Sequence, residues 1–174
     1  MTNLYIKDTN LITSIEKGIK NLVQIFVDAD ACPVKAEIEQ VATRHSLAVF
    51  IVSNGGIRPS QNELVKIIVV AAGPDEADKY IADTLSPGDI VVTADIPLAA
   101  RIIENGGSVI KPNGEVLTEK NIGNSLAMRD LMTELRSSDP FAKQSHKQFS
   151  KSDRSQFLNS FEQLIQQTFK NKNT

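Results

Sequence analysis

The sequence is 174 residues long, 41% apolar and 23% charged, the usage of one ordinary globular domain with a core of its own. No apolar run approaches the roughly 18 residues a membrane span needs, no leader pattern is evident, and the single cysteine, Cys32, excludes an intrachain disulfide or a cysteine-held zinc site, so the expectation is a cytoplasmic enzyme or binding domain. A net charge of −2 and a pI of about 5.7 exclude a uniformly basic nucleic-acid coat.

In chain order, residues 1–22 come first. Leu4, Ile6, Leu11, Ile12, Ile15 and Ile19 permit a helix but give no fold signal. Gln24–Asp28 is then the first short run rich in Val, Ile and Phe, followed by Leu47–Ser53, Lys66–Ala71 and Asp89–Thr93. These lack alternation, as strands buried on both faces do. Helix-length stretches separate them: Pro33–His45, Asp75–Leu85 and Ile96–Asn105, with Pro33 suited to a first helical turn and Gly106-Gly107 to a stop. Ser108–Lys111 reads as a fifth strand, with Pro112-Asn113-Gly114 as a turn, open to a hairpin into Glu115–Leu117. Thr118–Arg136 is helical with a break near Gly123; residues 137–152 form a polar, basic loop; Asp153–Phe169 is an amphipathic helix that packs back on the body. Strand–helix alternation predicts an α/β fold around a mainly parallel sheet of about five strands.

The carboxylates fall in a pattern. Asp28 and Asp30 close the first strand, Asp75, Glu76 and Asp78 follow the third, and Asp95 follows the fourth. In an open parallel sheet the carboxyl ends of the strands form one edge, where ligands bind. Acids far apart in sequence are thereby expected to converge. Crowded like charges call for a cation, and all-oxygen donors favour Mg²⁺ or Mn²⁺, ions suited to phosphoryl chemistry.

Each acid also has a structural reading. Asp28 can be a solvated strand end, Asp30 a turn residue or the N-cap of the Pro33 helix, and Asp75 with Asp78 a capping-box-like pair. Asp78 also suits a helix macrodipole, and Asp95 can cap the helix that begins at Ile96. Cys32 sits among acids, the wrong surroundings for a thiolate, and reads as packing. His45 and His146 have no ligand partner at useful spacing. The loop Ser53-Asn54-Gly55-Gly56-Ile57-Arg58 lies on the acidic edge, where its amides, Asn54 and Arg58 can meet a phosphate or simply connect two strands. Charge is unevenly spread: residues 1–135 hold 12 Lys/Arg against 18 Asp/Glu, a net of −6, whereas residues 136–174 hold 7 against 3, a net of +4. Lys143, Lys147 and Lys151 are evenly spaced in the basic stretch, as a solvated loop or as a contact for a polyanion.

The strings Val27-Asp28-Ala29-Asp30-Ala31-Cys32-Pro33-Val34, Gly73-Pro74-Asp75-Glu76-Ala77-Asp78 and Thr93-Ala94-Asp95-Ile96-Pro97-Leu98-Ala99, with Asn121-Ile122 and Arg129-Asp130, closely resemble the YaiI/YqxD family (UPF0178, DUF188) over residues 24–169. That family is in turn similar to the PIN and FEN-like nucleases. The resemblance implies a PIN-like three-layer sandwich over residues 23–174, with the basic loop and C-terminal helix as parts of the one domain. It implies a Mg²⁺ or Mn²⁺ site of Asp28, Asp78 and Asp95, with Asp30 and Asp75 as auxiliary acids, and phosphodiester hydrolysis, in RNA. Asn54, Arg58, Lys143 and Lys147 are the candidate substrate contacts. Residues 1–22 fall outside the family pattern and are expected to be a dispensable extension. A misassigned start is one explanation, with Leu22 or Val23 as an alternative TTG or GTG start.

Two other functions remain open. Asp28-Ala29-Asp30 matches the D-x-D of HAD-like phosphatases, with Asp28 as nucleophile, Ser53-Asn54-Gly55 as the second motif and Gly88-Asp89 as the last, although that Gly-Asp begins a strand instead of ending one. A non-catalytic RNA- or protein-binding module is the other alternative.

Overall fold

The computed structural model describes residues 23–30, 32–138 and 149–172. The proposed extension of residues 1–22 lies outside the described residues, and so do Lys143, His146 and Lys147 of the basic loop. The elements run β1 (Ile25–Asp28), α1 (Lys35–His45), β2 (Val49–Ser53), β3 (Val65–Val69), α2 (Glu76–Thr84), β4 (Ile90–Val92), α3 (Ile96–Glu104), β5 (Ser108–Ile110), β6 (Val116–Leu117), α4 (Ile122–Ser138) and α5 (Lys151–Lys172). Among the described residues no helix is long and apolar enough to cross a membrane.

The strands form one six-stranded sheet in the order β3-β2-β1-β4-β5-β6. All neighbours are parallel except β5 and β6, which pair antiparallel. The expected count of about five strands therefore becomes six, because the turn after β5 does close a hairpin. Its closure is local: Asn113 accepts from the Glu115 N–H at 3.0 Å, and the Gly114 N–H donates to Lys111 O at 2.8 Å.

The sheet is the middle of three layers. Strand residues alternate between two cores, as a pleated strand requires. Ile25, Val27, Val49, Ile51, Ile90 and Val92 face α1 and α5, where Ile38, Val41, Phe157, Phe161 and Ile165 are buried. Phe26, Val52, Val91 and Val109 face α2 and α3, where Ile81, Leu98, Ala99 and Ile102 are buried. Both faces of the central strands are thus covered, which explains their unbroken apolar runs.

Several boundaries differ from the sequence expectation. The helix predicted from Pro33 starts at Lys35, since Pro33 and Val34 form a turn and the Pro33 carbonyl is taken by Arg154 of α5 at 2.7 Å. The predicted break near Gly123 is the start of α4: the Asn121 side chain accepts from the Thr118 N–H at 2.7 Å and donates to Val116 O at 2.9 Å, closing a turn just ahead of Ile122. α5 begins two residues before Asp153. Ser150 and Asp153 bond each other reciprocally, Ser150 N–H to the Asp153 carboxylate at 2.8 Å and Asp153 N–H to Ser150 Oγ at 3.1 Å, in the manner of a capping box.

Candidate functional site

The order β3-β2-β1-β4-β5 reverses direction between β1 and β4. Connections leaving the two strands diverge there, and a crevice opens at their carboxyl ends. Asp28 is the last residue of β1, and the parallel register that places Val27 beside Val92 puts Thr93 next to it. The buried Thr93 hydroxyl donates to Asp28 Oδ2 at 3.0 Å and accepts the Asp95 N–H at 3.0 Å. One side chain therefore binds the carboxylate of Asp28 at the end of β1 and the backbone of Asp95 after β4.

Asp95 is the N-cap of α3, its Oδ1 accepting from the Leu98 N–H at 2.8 Å. The capping reading is correct for this residue, and the second carboxylate oxygen remains for other work. Asp75 occupies the N-cap position of α2 without a side-chain cap bond, in a left-handed conformation with φ of 63°. The capping-box-like pairing with Asp78 is therefore not made. A non-glycine residue in that region stores backbone strain of the kind that gathers at functional sites. Asp30 is not the cap of α1 either, for Val34 takes that position; its N–H instead points to Asp28 Oδ1 at 3.4 Å.

A cleft of about 600 Å³ results, lined by Asp28, Asp30, Asp75, Asp78 and Asp95 together with Asn54 and small residues. All five sequence-predicted ligands thus share one cleft, and among the described residues no Lys, Arg or His lines it. Burial raises the Asp28 carboxyl pKa above its usual value, against the opposing bond from Thr93. Asp78 is pushed up to about 6, first by burial and then by the charges of Asp95, Asp28 and Asp75, with Arg101 opposing. Asp78 therefore senses three other carboxylates of the cleft.

Among the described residues no three His, Cys, Asp or Glu side chains stand close enough together to hold a metal ion directly. The acids share a cleft without forming a closed cage. The donor chemistry nevertheless fits a hard divalent ion. All candidate ligands are carboxylate oxygens that repel one another, and among the described residues the lining holds no basic side chain, Arg101 opposing from outside it. Mg²⁺ keeps several waters and binds through one or two carboxylates plus substrate phosphate, which needs no all-protein cage.

Of the other candidates, Asn54 lines the cleft, while Arg58 is exposed and outside its lining. Cys32 is buried, its thiol pKa raised by that burial, and it packs in the core beneath α1. His45 pairs with Glu162 of α5 and touches the Phe169 ring edge, so it ties helices together. Asp89 is buried at the amino end of β4, accepting from Gln24 N–H and Ser86 N–H at 2.9 Å each. It lies at the wrong end of the strand to serve with Asp28, which removes the last HAD-like motif. Thr93 and Arg101 escaped sequence reasoning. The Thr-x-Asp spacing, which a hydroxyl-closed turn requires, was the available signal for Thr93.

Residues 26–167 match the family model described as "Uncharacterized BCR, YaiI/YqxD family" (DUF188). The chain is 57% identical over 144 residues to a UPF0178 protein of Cereibacter sphaeroides, covering 83% of this chain and 89% of the relative. It is likewise 57% identical to a UPF0178 protein of Roseobacter denitrificans over 83% of this chain and 95% of the relative. A UPF0178 protein of Rhodopseudomonas palustris is 49% identical over 83% of this chain and 90% of its own. No solved structure matches the chain.

Proposed function

The chain belongs to the YaiI/YqxD family, DUF188, and from that premise we propose that it is a metal-dependent nuclease hydrolysing phosphodiester bonds in RNA at the acidic cleft. The observation that carries this reading is the convergence of five aspartates, from the ends of β1 and β4 and the start of α2, on a cleft with no basic lining residue among the described residues. Asp28, Asp78 and Asp95 would face a hydrated Mg²⁺ or Mn²⁺, directly through no more than two of them and otherwise through its waters, with Asp30 and Asp75 as auxiliary acids. When bound, such an ion supplies Lewis acidity for activating water and for neutralising charge on a phosphoryl group.

The chain's own residues do the rest. Thr93 orients Asp28 and holds the backbone of Asp95 through one hydroxyl. The cap bond to Leu98 leaves Asp95 one carboxylate oxygen to turn toward the cleft. Asn54 on the cleft wall is a neutral donor for a phosphate oxygen. Asp78, near 6, exchanges its proton close to neutral pH in the ion-free cleft.

The test is cleavage of RNA, single-stranded DNA and a phosphomonoester with Mn²⁺, with Mg²⁺ and with EDTA, for wild type and Asp28→Asn. Divalent-dependent cleavage of RNA, lost in Asp28→Asn, is the expected result. Phosphomonoester turnover alone, or RNA binding without any turnover, would refute it.

A further inference from the structure

A second concavity is lined by the residue that follows one of the acids of the cleft. Asp95 lines the cleft, and the next residue, Ile96, lines a groove of about 460 Å³ between α4 and the β5–β6 turn. The two differ in charge. The groove's ionic lining is Lys111, Arg129 and Arg136 against one carboxylate, Glu115. Lys111 bonds Glu115 at 2.7 Å and Arg129 bonds Asp130 at 3.2 Å, while Arg136 makes no ion pair among the described residues. Exposed pairs of this type are weak and exchange readily for a stronger anion.

α4 has no buried residue along its 17 positions. Met128, Leu131, Met132 and Leu135 repeat at i, i+3, i+4 and i+7, yet are 59%, 50%, 44% and 53% exposed. A helix of this length gains little from its own backbone, and a contiguous exposed apolar stripe marks a binding surface. Met128 and Met132 open onto the groove beside the cations.

We propose that this groove seats the single-stranded polynucleotide flanking the phosphate held at the acidic cleft, a reading that rests on the nuclease assignment of that cleft. Two observations identify the occupant. The groove begins at Ile96, the residue after Asp95 of the cleft, and its net positive lining complements a polyanion where the cleft itself repels one. Arg129 and Arg136 stand two turns apart, about 10 Å along the helix, and so meet phosphates of different nucleotides. Lys111 faces them from the β5–β6 turn. Met128 and Met132 add apolar surface beside the cations, which the uncovered base faces of an unpaired strand can bury.

Anisotropy of a fluorescein-labelled oligouridylate in EDTA tests the groove apart from catalysis. Arg129→Ala/Arg136→Ala should weaken binding at least about tenfold and reduce the salt slope by about 1.4, the share of two phosphate contacts to a single strand. Both residues are exposed on a helix that alanine favours, and far-ultraviolet circular dichroism verifies the fold. Arg136→Glu alone should act in the same direction. Arg44→Ala, on α1 in the opposite layer, should leave affinity unchanged. Equal affinity of the double variant and wild type, no binding by wild type, or tighter binding of a duplex would overturn the proposal. Arginine-dependent binding with no Mn²⁺-dependent cleavage would support the groove and defeat the nuclease reading.

Discussion

Asp78 is held at about 6 against 3.8 for a free aspartate, and burial raises Asp28 in the same direction. In the ion-free protein the folded state therefore takes up protons before the unfolded chain does. Stability should rise as pH falls from about 7 to about 5, where the penalty of the charged pair is relieved. Asp78→Asn removes that penalty at neutral pH. Because the side chain is partly exposed, the gain should be about 1 kcal/mol after solvent screening, and the variant's melting temperature should rise less than that of wild type over the same interval, the remainder coming from Asp28 and Asp89. A wild-type melting temperature that stays level or falls on acidification would sink this account. Thr93→Val tests the other end of the site. It keeps the shape but leaves Asp28 Oδ2 and the Asp95 N–H without their partner, which should cost about 2–3 kcal/mol in urea unfolding. Thr93→Ser should restore most of it; equal stability of wild type and the valine variant would show the bridge to be idle. Asp28 and Asp95 were legible in the sequence because an acid that ends a strand or caps the helix after it needs only its own local segment to be recognised. Thr93 was not, since its bond to Asp28 spans 65 residues and depends on the register of β1 against β4.

At the scale of elements, the strands were readable because both faces of the sheet are covered and the apolar runs are unbroken. Boundaries set by tertiary contacts were not. The start of α1 depends on Arg154 reaching the Pro33 carbonyl from more than a hundred residues away. α4 was legible as a helix, and all of its apolar face from Met128 to Leu135 is exposed. The β5–β6 turn shows how one residue joins elements. Gly114 has a φ of 87°, and a Cβ there would lie 3.0 Å from the backbone of Gln156 and Phe157 in α5. Neither neighbour is a flexible side-chain end, so the helix or the turn has to move. Gly114→Ala should destabilise the protein by about 2–3 kcal/mol, combining the left-handed backbone with the close approach. Because that turn also carries Lys111 and Glu115, the same variant should weaken oligonucleotide binding. A denaturation midpoint unchanged from wild type would show that α5 does not press on the turn.

Over the whole molecule, the sheet gathers acids at one point that no local feature of the chain requires to be together. Five carboxylates line the cleft, and their mutual repulsion disfavours the folded state, a cost that a bound cation would offset. A ligand that binds only the folded chain stabilises it by mass action, about 2.7 kcal/mol at a hundredfold excess over Kd. For a domain of this size that is a rise of about 5–10 °C in melting temperature. Mn²⁺ and Mg²⁺ should therefore raise the melting temperature, and the rise should shrink as pH falls below about 6, where protons compete for Asp78. Asp95→Asn separates the site from the fold. Asparagine caps a helix about as well as aspartate, so the bond to Leu98 survives and the ion-free melting temperature should stay equal or rise slightly. The ion-dependent rise should fall sharply, since one carboxylate charge has left the cleft. Differential scanning calorimetry of both proteins with Mn²⁺ and with EDTA measures the two effects together. An equal Mn²⁺ shift in both proteins would leave Asp95 as a cap alone, and no shift in either would remove the ion from the cleft and the nuclease reading with it.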